Sequence, residues 1–404
     1  MHYKFPHIDH LDQVLEAIDG VDGFIVAQRD WGTVVNYVQM GPDMFPEVHT
    51  AGGSARMREH QTRLKAIRRE CRGIAFSPDG KLISRPLHKF WNAGEKRETL
   101  LENIDLSKPH VIMTKMDGSM IRPIPVADGY RLGTKMGVTD VALQAENFLR
   151  GAPNIDRFIR DSLEQGYTAI FEWCSRQQKI VIDYPRDRLV LIAVRHIHSG
   201  EYMTYHQMQE LAAEYQLDLV QVYAGTVENM QHLVEYTRGL EDQEGWVIRW
   251  NDGHMCKLKA DAYVRIHRAK DALMQEKNLI ELMLTEKLDD VKGFLPHEDL
   301  ARIEVYEREF WQGVQDTAAG WNLNYQTVRK RFGTDRKTFA LEWANGFDAH
   351  LRSLIFRAWD NPDFDWRLGV LGVIGKNLSS QTRVDEARYL HGAGPWRMQN
   401  PGDE

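Results

Sequence analysis

The strongest constraint on the fold is a change of texture near residue 268. Residues 20–267 mix short β-rich runs with helical stretches. The runs include Gly23-Phe24-Ile25-Val26-Ala27, Ala169-Ile170-Phe171-Glu172-Trp173, Leu189–Val194 and Gly245–Trp250. Asp79-Gly80, Asp128-Gly129, Ser199-Gly200 and Asp252-Gly253 read as hairpin turns joining antiparallel strands. Helical patterns fall at 139–150 and 205–215, with no regular strand–helix alternation, which argues against a doubly wound parallel sheet. Beyond 268, apolar residues recur at three- and four-residue spacings over 270–287, 298–315, 335–346 and 348–359. Pro296, Gly333-Thr334-Asp335 and Pro362 punctuate these runs, with Thr334 or Asp335 as an N-cap. The chain is therefore expected to be α+β: an N-terminal domain of antiparallel sheets and flanking helices over 1–267, then an all-α domain over 268–404. From Gly392 onward it reads as a frayed tail.

Composition narrows the function classes. A length of 404 residues fits about two domains. No apolar run approaches the ~18 residues of a membrane span, and Met1–His7 lacks the apolar core of a secretory signal. Cys71, Cys174 and Cys256 are too scattered for a zinc site or a disulfide framework, so a reducing cytoplasm is expected. The net charge of −7 argues against a protein that coats nucleic acid nonspecifically, while leaving room for a local basic groove. Residues 56–72 set Arg56, Arg58, Arg63, Lys65, Arg68, Arg69 and Arg72 against only Glu59 and Glu70. That is either a solvated helix face or a phosphate-facing patch. The Trp311, Trp321, Trp343, Trp359 and Trp366 series reads as core.

The chemistry begins at Thr114-Lys115-Met116-Asp117-Gly118-Ser119, directly after the β-type run Val111-Ile112-Met113. A lysine on a rigid strand, an acid to orient it and a glycine that lets backbone approach a ligand suit attack on a phosphate. Alone, Asp-Gly after a strand is a hairpin signal. Other segments add weight: Glu70-Cys71-Arg72-Gly73, Arg85-Pro86 with Lys89-Phe90 and Asn92, Phe171-Glu172, Glu244-Gly245, and Lys257-Leu258-Lys259. Strand alternation puts Lys257 and Lys259 on one face, where two ammonium groups repel unless they are solvated or share an anion.

Together these segments, with Lys179-Ile180-Val181…Tyr184 and the continuation through Tyr263-Val264, make residues 24–267 resemble the covalent nucleotidyltransferases. Within that superfamily the chain is similar to the bacteriophage T4 RNA ligase 1 family. The resemblance implies an N-terminal nucleotidyltransferase domain and an ATP-dependent, AMP-forming RNA ligase. Lys115 would form a lysyl-AMP, AMP would pass to an RNA 5′-phosphate, and a 3′-hydroxyl would then displace it.

By the same resemblance, Asp117 orients Lys115, and Gly118 belongs to the nucleophile motif. Lys257 and Lys259 contact the α-phosphate, while Arg72, Lys89 and Lys135 reach the other phosphates. Glu172 accepts hydrogen bonds from the ribose. Glu244 holds a divalent ion, Mg²⁺ or Mn²⁺, and Tyr263 and Asp289 align near a second metal position. Lys257, Lys259 and the metal are expected to lower the pKa of Lys115. The implied partners are RNA ends, tRNA among them, joined by a monomer without a membrane partner. Arg329-Lys330-Arg331-Phe332 with Arg336-Lys337 is a candidate RNA contact in the helical part, against a solvated helix end. DNA ligases and capping guanylyltransferases share the lysines but continue into an oligonucleotide-binding β-barrel, where this chain turns helical. A catalytically silent RNA-end-binding protein would be expected to lose Lys115, Glu244, Lys257 or Lys259, and all four stand intact.

Overall fold

The computed structural model describes residues 3–37, 44–49, 52–176, 180–295, 297–361 and 363–396. Lys179, Pro296, Pro362 and the tail from residue 397 lie outside the described residues. The chain divides into two compact units, Met1–Val264 and Arg265–Gln399.

Within the first unit, twelve strands among the described residues form three four-stranded sheets. Strands β1 (Phe24–Arg29), β2 (Gly32–Tyr37), β3 (Ile74–Phe76) and β4 (Leu82–Ser84) make an antiparallel meander. A second sheet runs in the order β10-β9-β7-β8, from β7 (Ser119–Val126), β8 (Gly129–Gly133), β9 (Tyr167–Cys174) and β10 (Arg188–His196). The third runs β5-β12-β11-β6, from β5 (Trp91–Asn92), β6 (His110–Thr114), β11 (Gly245–Trp250) and β12 (Met255–Lys259); only its β5–β12 pair is parallel. The mixed architecture with antiparallel sheets is the one the turn dipeptides imply. Asp79-Gly80, Asp128-Gly129 and Asp252-Gly253 connect β3–β4, β7–β8 and β11–β12, and each glycine takes a positive φ.

Asp117-Gly118 behaves differently. Strand β6 pairs with β11, whereas β7 pairs with β8 and β9, so the chain leaves one sheet and enters another at Lys115–Gly118. The hairpin reading of this dipeptide is thereby excluded. Gly118 is also a packing requirement. A Cβ there would collide with the Trp173 carbonyl and press on Glu172 Cγ, so the glycine admits β9.

These sheets are tied together by a fully buried carboxylate. Glu70 accepts from Arg85 Nε at 3.1 Å, and from Arg195 Nη1 and Nη2 at 2.7 and 2.9 Å. All three side chains have no exposure. The remaining guanidinium donors go to the carbonyls of Pro6, Pro86, Ile197, His198 and Gly200. Burial would push the Glu70 carboxyl up, but the two arginines hold it below its usual value. One acid thus fastens the segment carrying Arg72, the segment carrying Lys89, strand β10 and the N-terminal strap.

Every element assigned among the described residues of the second unit is helical, including the 36-residue helix His297–Phe332. Leu279, Ile280, Ile303, Phe310, Val314, Ile355 and Val370 lie in its core. Trp321 and Trp366 are buried there, with Trp311 and Trp359 packed against the core. Trp343 departs from the core expectation: it is 37% exposed and covered by the Arg331 guanidinium at 3.9 Å. Arg329 lies on Trp359, and Arg336 lies on Phe356 while bonding Asp360. Three arginines of the expected RNA patch are therefore engaged in contacts within this unit.

Removing the central carboxylate leaves two guanidiniums buried and uncompensated. Glu70→Gln is expected to cost about 3–5 kcal/mol in urea unfolding followed by circular dichroism, with the urea midpoint falling accordingly.

Candidate functional site

Lys115 stands where β6 ends, and its backbone N–H donates to the Gly245 carbonyl at 2.9 Å. Gly245 has φ +142°, and a Cβ there would collide with the Leu258 carbonyl. Only glycine lets β11 start this close to β12, which sets Glu244 beside both functional strands. The Glu244 carboxylate receives Lys115 Nζ at 2.6 Å and Lys259 Nζ at 3.1 Å, and its side chain is 3% exposed. Lys257 and Lys259 point to one side of β12, flanking the buried Leu258.

A cavity of about 260 Å³ opens at Lys115. Arg72, Lys135, Glu172, Lys257 and Lys259 form its polar wall, while Phe90, Met113, Met120, Ile192, Val247 and Met255 contribute to the apolar wall. Arg72 reaches this wall by donating to Met120 Sδ at 3.4 Å. Gly73 follows it with φ +93°, and a Cβ there would stand 2.7 Å from the Lys135 backbone. The Arg-Gly pair therefore seats Arg72 beside the half-buried Thr134–Gly137 turn that carries Lys135. Of the arginine-rich stretch, Arg72 alone lines this cavity, while Arg69 is buried against Glu98 and Arg68 donates to the Ala17 carbonyl.

Lys89 does not line the cavity. Its ammonium bonds the Tyr37 hydroxyl at 3.2 Å and sits over Trp91 at 4.6 Å and Tyr37 at 5.1 Å. Burial raises the Tyr37 hydroxyl's pKa, yet Arg72, Lys89 and Lys135 together bring it below the usual phenol value. Tyr37, which sequence reading did not single out, is the hydroxyl that Lys89 bonds. A tyrosine closing a β-strand carries no motif, and only the fold brings those three cations to it.

Several assignments change. Asp117 does not hold Lys115: Oδ1 accepts from the Tyr263 hydroxyl at 2.8 Å, and Oδ2 from the backbone N–H groups of Val181 and Ile182 at 2.8 and 2.7 Å. It fixes the 181–184 segment and Tyr263 beside the strand end that carries Lys115. Tyr263 is correspondingly a poor metal ligand. It is 3% exposed, its proton is given to Asp117, and burial with three neighbouring carboxylates pushes its pKa far up. Asp289 belongs to the second unit, where its 91% exposed carboxylate pairs with Lys292 at 3.5 Å. No group of three metal-binding side chains occurs among the described residues.

The electrostatics also reverse one expectation. Burial lowers the Lys115 pKa, but Glu244, Glu172 and Asp117 outweigh it and hold the ammonium above its usual value. It is Lys257 that falls, to about 7, through burial and then the charges of Lys115, Arg72, Lys89 and Lys259. Glu172 is pushed up to about 8, chiefly by burial, with Lys115 and Arg72 opposing and Glu244 and Asp117 reinforcing. At neutral pH it carries a proton and can donate as well as accept, in place of the acceptor-only role expected of it.

Because the folded pKa of Lys257 lies below its unfolded value, the unfolded chain binds more protons from about pH 7 to the ordinary lysine range. Its contribution to stability therefore rises with pH across that window. Lys257→Met is expected to flatten the rise between about pH 8 and 10 relative to the parent protein in thermal melts.

Residues 70–263 match the T4 RNA ligase 1-type family profile described as RNA ligase. A candidate RNA ligase of Thermovibrio ammonificans is 33% identical over 247 residues, covering 59% of this chain and 64% of that one. The chain thus spans less than two thirds of that relative's length. RNA ligase 1 of bacteriophage TS2126 is 26% identical over 285 residues, 67% of this chain and 68% of the phage protein. An archaeal ATP-dependent RNA ligase structure aligns at a TM-score of 0.41 with 14% identity, covering 76% of this chain and 79% of its own. The segment from Glu70 to Tyr263, which holds Lys115-Met116-Asp117-Gly118 and the paired lysines, is thus similar to RNA ligases of the T4 RNA ligase 1 type.

Proposed function

We propose that this chain is an ATP-dependent RNA ligase that joins 3′-hydroxyl and 5′-phosphate RNA ends through a lysyl-AMP at Lys115. The observation that carries this reading is the convergence of Lys115, Arg72, Lys257 and Lys259 on one cavity, with Glu244 bridging two of the lysines. Lys115 Nζ attacks the α-phosphorus, a P–N bond forms, the P–O bond to pyrophosphate breaks, and the ammonium proton is released. The AMP then moves to an RNA 5′-phosphate oxygen, freeing Lys115. A 3′-hydroxyl loses its proton and attacks the phosphorus of that RNA 5′-phosphate, the P–O bond to AMP breaks, and the 3′–5′ phosphodiester forms.

In this reading Glu244 stores Lys115 in its protonated, unreactive form until substrate arrives. Arg72, Lys135, Lys257 and Lys259 take the phosphate charge, and an arriving polyanion favours the charged form of Lys257. Glu172 bonds the ribose. Glu244, an almost dry carboxylate already selecting cations, suits Mg²⁺ or Mn²⁺, which use few carboxylates beside waters and phosphate oxygens. A bound divalent ion would neutralise phosphate charge and compete with Lys115 for that carboxylate. Asp117 and Tyr263 keep the walls in register.

The domains are read as an adenylyltransferase over 1–267 and an all-α domain over 268–404 that sets RNA preference. A repaired tRNA is the proposed physiological substrate, and the protein works as a cytoplasmic monomer. No helix among the described residues is long and apolar enough to cross a membrane.

Incubation with α-labelled ATP and Mg²⁺ tests the reading: acid-sensitive label is expected on the polypeptide and absent from Lys115→Ala. Label that survives Lys115→Ala overturns it, and labelling from GTP in place of ATP favours capping. Lys115→Ala is further expected to retain joining of pre-adenylylated RNA, measured by gel, because its role ends once AMP has left it.

A further inference from the structure

Beyond the cavity lies a second group of uncompensated cations. Lys257 sits over Phe90 at 5.0 Å, and Lys89 and Lys96 both sit over Trp91, at 4.6 and 4.9 Å. Three ammonium groups therefore rest on two consecutive aromatic rings. The segment after Trp91 is fixed to the strand carrying Lys257: β5 pairs with β12, and Ala93 N–H donates to the Lys257 carbonyl at 2.8 Å. Neither Lys89 nor Lys96 makes an ion pair among the described residues.

Acids are available nearby in sequence but are committed elsewhere. Glu95 accepts from Asn92 N and Nδ2 at 2.9 and 2.7 Å, and Glu98 pairs with Arg69 at 2.6 Å. In a chain of net charge −7, leaving these lysines without carboxylates favours a polyanion as their partner. In the proposed reading a nucleotide's phosphates would meet Arg72, Lys135, Lys257 and Lys259 on the cavity wall, whereas Lys89 and Lys96 do not line it. The indole is 2% exposed and not open for base stacking, so it serves as a platform for the two ammonium groups.

We propose that Lys96 binds the backbone of the 5′-phosphorylated RNA strand, at a phosphodiester next to the terminal phosphate, and that it takes no part in binding ATP. This deepens the proposed ligase reading and rests on it for the identity of the polyanion. The site requires no chemistry, so it is tested by binding in the full-length Lys115→Ala protein, separately from the ATP-labelling experiment. The probe is a fluorescent single-stranded oligoribonucleotide bearing a 5′-phosphate, followed by anisotropy. Adding Lys96→Ala is expected to weaken its binding about tenfold. The log–log salt dependence is expected to lose about one unit of slope. ATP affinity should stay within about twofold, and Lys96→Arg should keep RNA affinity near the parent value. Unchanged RNA affinity overturns the proposal, as does an equal loss for ATP and RNA.

Discussion

The arrangement at Lys115 depends on a salt bridge that touches no substrate. Glu70, between Arg85 and Arg195, is an acid with no solvent access, held by four guanidinium contacts that come from segments far apart in sequence. Such a cluster costs several kcal/mol in desolvation and is a weak source of net stability. What it supplies is location. Arg72 follows Glu70 by two residues, and Lys89 follows Arg85 by four. Fixing the two buried members therefore fixes the starting points of the two functional cations.

Glycines supply the second layer of placement. At Gly73, Gly118 and Gly245 a Cβ would strike the backbone of another segment: the Lys135 turn, β9 and β12 respectively. Each glycine precedes or follows a charged residue of the site, so close backbone packing and charge convergence have the same cause. The strand change at Lys115–Gly118 completes the design. By pairing β6 with one sheet and β7 with another, it puts the lysine at the seam between them, with Glu244 on one side and Glu172 on the other.

Much of this was legible before the structure. Asp79-Gly80, Asp128-Gly129 and Asp252-Gly253 marked hairpins because a positive φ at glycine is a local requirement. The facing of Lys257 and Lys259 follows from the period of a strand. What was not legible depends on partners distant in sequence. Arg195 looks like the end of an apolar run, Tyr37 like the last residue of a strand, and Asp117 like a neighbour of Lys115. Tyr263, Val181 and Ile182 take Asp117 instead, and no local pattern encodes that.

The sequence by itself supplied the candidate lysine, the resemblance to RNA ligases and the residue types of the cavity, because motif order and strand period are local properties of the chain. The tertiary structure alone decided the protonation order. Burial and proximity, which sequence spacing does not carry, hold Lys115 charged on Glu244 while lowering Lys257 to about 7 and raising Glu172 to about 8. It likewise decided that Lys89 and Lys96 share one indole with no carboxylate between them. The pairing of β5 with β12 brings that contact next to Lys257.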